Sequence, residues 1–300
     1  MTSSSILVVG STGLLGGEVV RRLRSTRRAT KAFVRKSSDA NKVSDLQHAG
    51  AETVVGDLRD PRSLSVASQG AAAVISTATS LLSGTDGESI ETVDLRGQLD
   101  LIAAAEAAKV GQFIFISFPP SPIDHEFQRA KRAVEARLEQ SSLRYTIIQA
   151  ASFAEVWLGP YLGFDPMSGQ ARIFGDGTKT TNWVSFLDVA KLAVASLDEP
   201  SFARQTLTLG GPEALSYNDV LELFAKEGYR AATVERIPEA ALEQQLRAAP
   251  DTRQQAFAAA MLGRARGQSV SSEFALAHHP MQLTSMKEFV RLTIAMRQTT

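Results

Sequence analysis

The first residues whose spacing suggests chemistry are Gly10, Gly13 and Gly16, in the run Val8-Val9-Gly10-Ser11-Thr12-Gly13-Leu14-Leu15-Gly16-Gly17. They follow a short β-branched run and open a helical pattern. A glycine at the first position permits a tight turn, one at the second lets backbone approach a pyrophosphate, and one at the third lets a helix sit tightly on a sheet. The helix start would then turn free N–H groups toward phosphate oxygens. Gly10, Ser11, Thr12, Gly13, Leu14, Leu15 and Gly16 are therefore expected to cradle a dinucleotide, against the competing reading of a purely structural turn. The chain contains no Gly-Lys-Ser/Thr run, which disfavours a P-loop kinase or ATPase.

The next strand selects the dinucleotide. An acidic residue there would take a ribose 2′-hydroxyl. This chain instead has Phe33-Val34-Arg35-Lys36-Ser37-Ser38, with no carboxylate before Asp39. Arg35 and Lys36 suit a 2′-phosphate, which a carboxylate would repel, so the expected cofactor is NADP(H). Past the third strand, Gly56-Asp57-Leu58 precedes Asp60-Pro61, which reads as an ordinary helix start. Asp57 either accepts from the adenine amino group, with Leu58 beside it, or merely forms the turn. Thr77 and Ala78, after the fourth strand, are placed at the nicotinamide ribose.

Farther on, Phe127, Lys131, Val134 and Leu138 recur at helical intervals and share one face. Ser121-Pro122-Ile123-Asp124 has capping-box spacing, which predicts that this helix spans Pro122–Gln140. Lys131 thus projects from an apolar stripe and must either snorkel to solvent or meet an oxygen-rich partner such as ribose hydroxyls. His125 is expected to be an exposed first-turn residue. His278-His279 has no ligand partner three or four residues away, so it reads as a loop and no metal site is expected. Phe118, Phe153 and Trp157 are candidates for a flat acceptor, since aromatics offer faces for ring stacking, with core packing as the alternative. For Tyr161 and Phe164 the core reading is preferred.

These residues need a scaffold, and the chain's period supplies one. The runs Ile6–Val9, Ala32–Val34, Thr53–Val55, Ala73–Ser76, Phe113–Ser117 and Tyr145–Ile148 alternate with helical stretches at Leu14–Ser25, Asp39–Ala49, Pro61–Gln69, Glu88–Lys109 and Pro122–Gln140. Such alternation predicts an α/β fold, a Rossmann-type doubly wound parallel sheet. Residues 1–150 form the expected cofactor domain, with 185–210 returning to it. Residues 151–300 form a smaller α+β substrate or partner region, with strands at Ala171–Phe174, Thr180–Val184, Thr206–Leu209 and Thr233–Ile237. Its helices are predicted at Phe186–Leu197, Tyr217–Lys226, Glu239–Arg247 and Thr284–Arg297. Pro250–Ser272 reads as a further helix.

The composition narrows the function classes. Lys plus Arg number 32 and Asp plus Glu 32, so no net field recruits a polyanion, and direct nucleic-acid binding is not expected. There is no cysteine, which excludes disulfides, thiolate metal sites and a cysteine nucleophile. Apolar stretches fall short of the ~18 residues of a spanning helix, and no secretory pattern opens the chain, so a cytoplasmic protein is expected.

Together these motifs resemble the short-chain dehydrogenase/reductase superfamily, in its atypical NmrA-like branch. The resemblance is carried by the glycine loop, Val34-Arg35-Lys36, Gly56-Asp57-Leu58, Val93-Asp94-Leu95-Arg96-Gly97, Phe113-Ile114-Phe115-Ile116-Ser117, Phe153-Ala154-Glu155 and Asp188-Val189-Ala190. It implies NADP(H) binding, a serine role for Ser117, and Lys131 on the cofactor's ribose. In the superfamily's Tyr-x-x-x-Lys the tyrosine position is Phe127, which has no proton to give. Where relatives carry Phe-x-Glu-Asn, Val156 replaces the asparagine. Two functions follow as expectations. One is an NADPH-dependent reductase of a quinone-like or other conjugated apolar acceptor, monomeric or homodimeric. The other is a non-catalytic NADP(H)-sensing regulator that binds a macromolecular partner. An epimerase of the same fold would need the missing tyrosine.

Overall fold

The computed structural model describes residues 5–82 and 87–298. In chain order the elements begin β1 (Ser5–Val9), α1 (Leu14–Ser25), β2 (Thr30–Val34), α2 (Ala40–His48), β3 (Glu52–Val55), α3 (Pro61–Ser68) and β4 (Ala71–Ser76). A π-helix, Ile90–Gly97, runs into α4 (Gln98–Ala107), followed by β5 (Gln112–Ser117), α5 (Glu126–Glu139) and β6 (Arg144–Ala150). Then come α6 (Ala154–Trp157), β7 (Phe164–Asp165), β8 (Gln170–Phe174), α7 (Phe186–Ala195) and β9 (Gln205–Leu209). The remainder is α8 (Tyr217–Lys226), β10 (Thr233–Ile237), α9 (Glu239–Ala248), α10 (Thr252–Arg266), α11 (Glu273–His278) and α12 (Met286–Gln298).

The main sheet has the order β3-β2-β1-β4-β5-β6-β9. The β1–β2, β1–β4, β2–β3, β4–β5 and β5–β6 pairs are all parallel. This is the Rossmann-type doubly wound sheet, and its strand order reverses between β1 and β4. Ligands of such sheets lie at that reversal, outside the carboxyl ends of the strands. β1 and β5 are buried along their whole length, as both-face coverage demands. The local start signals are used as written. Asp60 Oδ1 accepts from Arg62 N–H at 3.0 Å with Pro61 opening α3, and Asp39 accepts from Asn41 and Lys42 N–H groups to cap α2.

The chain divides into two compact units. The first comprises Met1–Phe118, Glu126–Gln149 and Val189–Leu207. Its core joins Leu7, Val9, Phe33, Leu64, Phe113 and Ile147 across the sheet. The returning segment is tied in by polar contacts: Gln112 Nε2 donates to Ser196 O at 2.6 Å, and Thr146 Oγ1 to Phe202 O at 2.9 Å. The second unit comprises Pro119–His125, Ala150–Asp188 and Thr208–Thr300. It holds a small sheet, β10-β8-β7, and a core of Phe164, Phe174, Trp183, Tyr217 and Phe224.

Three expectations about elements need correction. The helix read as Pro122–Gln140 starts at Glu126, because the Ser121 hydroxyl accepts from Ile123 N–H, two residues on, and closes a turn instead of a helical cap. Thr180–Val184 forms no strand. Thr181 and Val184 make isolated bridges to Leu215, Gln268 and Phe153. Glu88–Lys109 is not one α-helix, since the eight residues Ile90–Gly97 are π-helical, with Gly97 packed closely at their end. A Cβ there would meet Leu58 Cβ at 2.9 Å and Thr92 O at 3.1 Å. The eight residues are too few for hydrophobic period to separate the two helix types.

The glycine loop yields the first prediction. A Cβ on Gly16 would lie 2.2 Å from Gly10 O and 2.8 Å from Thr77 Oγ1. Gly16→Ala should therefore cost about 3 kcal/mol or more in urea unfolding. A Cβ on Gly13 would meet only Gly10 O, at 3.2 Å, so Gly13→Ala should cost under about 1 kcal/mol. Equal midpoint shifts for the two variants would show that Gly16 does not set the helix seat.

Candidate functional site

The loop after β1 is shaped by its own packing. Gly10 has φ +84°, and a Cβ there would strike Thr77 Oγ1 at 2.7 Å and Ala78 N at 2.8 Å. Thr77 Oγ1 donates to Val9 O at 3.1 Å, so Thr77 and Ala78 lie against the loop. Ser11 is fully buried and its hydroxyl donates to Phe33 O at 2.8 Å, which ties the loop to β2. Its side chain therefore faces the sheet, leaving only backbone for a ligand. Leu15 is buried, Thr12 half-buried, and Gly13 and Leu14 exposed. Gly13 caps α1 without any side-chain hydrogen bond, and the first turn contains no acidic residue. Opening the twelve-residue helix in this way leaves N–H donors and the positive dipole end for an anion. These residues fit a pyrophosphate.

At the ends of β2 and β3 the structure assembles four charges. Arg35 is paired with Glu88. Arg59 clasps Asp57 through Nη2–Oδ2 at 2.7 Å and Nε–Oδ1 at 3.0 Å, and its own N–H donates to Asp57 Oδ1 at 2.8 Å. The Arg59 guanidinium holds the Asp57 carboxyl below the usual range. Asp57 thus makes both a turn and an ion pair, and Leu58 is buried under Gly97. Lys36 is exposed. Asp39, the first carboxylate after β2, is committed to capping α2. Arg59 and Glu88 were not anticipated. Neither lies in a motif, and only the fold brings Glu88, 53 residues along the chain, to Arg35.

The end of β5 faces a second polar group, on α5. Lys131 is 4% exposed, so it does not snorkel. Nζ donates to Ile116 O at 3.3 Å, lies 4.0 Å from Asp94 Oδ1, and sits over the rings of Phe115 and Phe127. Burial depresses its ammonium pKa, partly offset by Asp94 and Glu135. Asp94, on the π-helix, is fully buried: Oδ2 accepts from Ser80 N–H at 3.0 Å and its hydroxyl at 2.6 Å, whereas Oδ1 has no hydrogen-bond partner. The Ser117 hydroxyl accepts from Arg132 Nη2 at 3.0 Å, and Arg132 pairs with Glu135 at 3.0 Å. Burial raises the Glu135 pKa, against the Ser117 hydrogen bond and the Arg132 charge. Phe127 stacks on Phe118 at 5.3 Å and 10°, so a flat apolar layer stands where a tyrosine would offer a proton. Arg132 and Glu135 also escaped sequence reading, although Glu135 stands one helical turn from Lys131.

The remaining candidates lie in the second unit. Phe153 and Trp157 are half-buried, whereas Phe164 is core and Tyr161 is 70% exposed. Glu155 caps α7: its carboxylate accepts from the Ser185 hydroxyl at 2.5 Å and from Phe186 N–H at 3.1 Å, and burial raises its pKa. His125 is 5% exposed rather than solvated, because the late start of α5 leaves it before the helix in a packed turn. His278 ends α11 instead of lying in a loop, its ring 4.3 Å from Phe274. Among the described residues no three His, Cys, Asp or Glu side chains converge as a metal site. No helix among them is long and apolar enough to cross a membrane.

With this geometry in place, the model of the NmrA-like family matches residues 2–290. The chain belongs to the NmrA-like family. Family relatives include an NAD(P)H azoreductase of Xenophilus azovorans, 32% identical over 244 residues, covering 78% of this chain and 79% of the relative. The photosystem II assembly factor Ycf39 of Synechocystis sp. is 31% identical, covering 79% and 72%. Among solved structures, an NADPH-dependent quinone oxidoreductase from Escherichia coli, complexed with NADPH, superposes with TM-score 0.77 at 20% identity, covering 96% of this chain and 99% of that one. Triphenylmethane reductase from Citrobacter sp., complexed with NADP(H), gives 0.76 at 22%, covering 96% and 99%. At these identities the structures establish the shared fold.

The Glu155 cap makes a pH prediction. Its folded pKa lies above its unfolded value, so the folded chain binds that proton more tightly. This stability is complete below the unfolded value, about 4.3, and is lost as pH rises through the folded pKa. Glu155→Gln keeps an acceptor for Phe186 N–H without that titration. The unfolding free energy of the variant minus that of the native chain should grow as pH rises above the unfolded value and level off once pH has passed the folded pKa. A constant difference across the range would refute the buried-carboxyl reading.

Proposed function

We propose that the chain is an NADPH-dependent reductase that passes hydride to a quinone-like or other conjugated acceptor. The observation that carries this reading is the start of α1, which lacks a side-chain cap and an acidic first turn and so leaves N–H donors for a pyrophosphate, with Arg35 directly after β2, the strand paired to β1. The relatives named as NAD(P)H-dependent reductases support it. In this reading the N–H groups of Leu14, Leu15 and Gly16 hold the pyrophosphate, Gly13 N–H being taken by Gly10 O at 2.9 Å, and Arg35 and Lys36 hold the 2′-phosphate. Asp57 and Leu58 border the adenine, Thr77 and Ala78 border the nicotinamide ribose, and Lys131 donates to its hydroxyls. Ser117 is held by Arg132 and Glu135 at the end of β5. Phe118, Phe153 and Trp157 present rings to the acceptor.

Bound NADPH supplies a hydride, which the acceptor takes together with one proton. Phe127 cannot give that proton, so it comes from water, and a quinone leaves as the hydroquinone. Following nicotinamide absorbance while purified protein meets NADPH and a quinone panel tests the reading; absence of oxidation with every acceptor would end it. The assembly-factor relative supports a second reading, in which NADP(H) binding controls a protein partner. Tight cofactor binding without turnover, together with a partner whose affinity follows cofactor redox state, would favour that one.

Two substitutions test the 2′-phosphate contacts. Arg35→Ala should weaken NADPH by about 1.5–3 kcal/mol and NADH far less, measured by calorimetry. Equal losses would remove Arg35 from the phosphate. Glu88→Gln frees the same guanidinium from its intramolecular anion and should tighten NADPH several-fold, roughly 1 kcal/mol, while leaving NADH unchanged. Weaker NADPH binding by this variant would instead make Glu88 a necessary support for Arg35.

A further inference from the structure

A buried cation in the second unit lacks a counter-charge. Arg264, near the end of α10, is 8% exposed. Its Nη2 donates to Gln268 Oε1 at 2.5 Å, and its guanidinium carbon lies 5.6 Å from the centre of the Trp157 ring. Nε and Nη1 are shut off from solvent and have no hydrogen-bond partner. No carboxylate pairs with Arg264 among the described residues; its one electrostatic partner is Tyr217, whose buried hydroxyl is also without a hydrogen bond. Burial lowers the guanidinium pKa to about 10, so it stays charged at neutral pH.

An unpaired buried charge costs several kcal/mol, and the unmet N–H groups add to that. Every other strongly buried charge discussed above has an opposite charge or a cap. Simple packing does not account for Arg264: a methionine or leucine would cover Trp157 without the desolvation cost. A guanidinium recognises carboxylates, sulfonates and phenolates, and the ring on one of its faces adds a surface for aromatics.

We propose that Arg264 is an anion receptor for the acceptor, which is therefore an aromatic ring bearing a carboxylate, sulfonate or phenolate, the ring lying against Trp157 and the anion on Nε and Nη1. This rests on the reductase reading and narrows its substrate class. An incoming anion reaches the two nitrogens by displacing the side chains over them, of which Trp157 is only partly buried. The apolar faces of Phe153 and Trp157 then serve the ring and Arg264 serves its substituent.

The test compares naphthalene-2-sulfonate with neutral 2-naphthylmethanol by calorimetry, with NADP+ in excess to fill the phosphate contacts of the first unit. The unaltered protein should hold the sulfonate at least about tenfold more tightly, the scale of one charge-assisted hydrogen bond. Arg264→Met should bring the two within about twofold, and Arg264→Lys should keep part of the preference. Equal affinities in the unaltered protein, which needs no variant to fold, overturn the proposal. So does a preference that survives in folded Arg264→Met. In parallel, NADPH oxidation is followed with 1,2-naphthoquinone-4-sulfonate and 1,2-naphthoquinone. Failure with both quinones defeats the reductase reading, while the calorimetry still decides the anion receptor.

Discussion

Gly10 and Gly16 approach each other more closely than any side chain would permit, and the order of the first unit depends on that approach. It seats α1 against the loop after β1, with Leu15, Val19, Val20 and Leu23 buried beneath it. Thr77, at the end of β4, is fastened to the same backbone by its hydroxyl, and Ser11 reaches across to Phe33 on β2. The carboxyl ends of β1, β2 and β4 are therefore locked around one turn. Arg35 follows β2 and Ala78 follows β4, so the positions proposed for phosphate and ribose inherit their spacing from two glycines.

Among the candidate-site residues and Arg264, charge is handled differently in the two units, although ion pairs such as Arg172–Glu235 and Arg266–Glu239 also line the surface of the second. In the first, cations and anions come in pairs: Arg35 with Glu88, Arg59 with Asp57, Arg132 with Glu135, and Lys131 facing Asp94. Pairing limits the desolvation cost of each ion, and it keeps the guanidiniums in place before any phosphate arrives. In the proposed cofactor site a phosphate would have to compete with these resident carboxylates, so that a contact to Arg35 would depend on Glu88 as well. Asp94 shows the same economy. One of its oxygens is satisfied by Ser80, and the other is left to Lys131 at a distance too long for a hydrogen bond. In the second unit Glu155 is stabilised by a hydroxyl and a helix terminus, and Arg264 by one neutral amide and an aromatic face.

Much of this was legible in the sequence because it rests on local rules. The glycine loop, the Asp39 and Asp60 caps and the six runs that became β1 to β6 each depend on residues within a few positions of one another. The hidden parts depend on distance or on competition. Ser121 has the spacing of a helix cap, but its hydroxyl is taken by Ile123, and no pattern reveals that choice. The π-helix around Asp94 hydrogen-bonds one residue wider than an α-helix, and Leu58 packs close on its Gly97, a distant contact that no short period reveals. Glu88 and Arg264 carry no motif at all. One is defined by a partner far along the chain, and the other by the lack of an opposite charge among the described residues, which becomes visible only when its neighbours are placed.

In the reductase reading, the phenylalanine at position 127 constrains the chemistry more sharply than any other residue. Reducing a ketone by hydride leaves an alkoxide, whose basicity is close to that of hydroxide, with a conjugate acid near pKa 15.7 or above. Reducing a quinone leaves a phenolate, whose conjugate acid lies near 10, like the tyrosine side chain. The gap of roughly 6 units is about 8 kcal/mol, which a tyrosine acid would have to offset in the first case and need not in the second. With Phe127 stacked on Phe118, and Lys131 held by Ile116 O and Asp94, the apolar layer offers no acid to make up that difference. In the reductase reading proposed above, the acceptors suited to this arrangement are those whose reduced anions water can protonate, and conjugated rings are a class that meets the requirement.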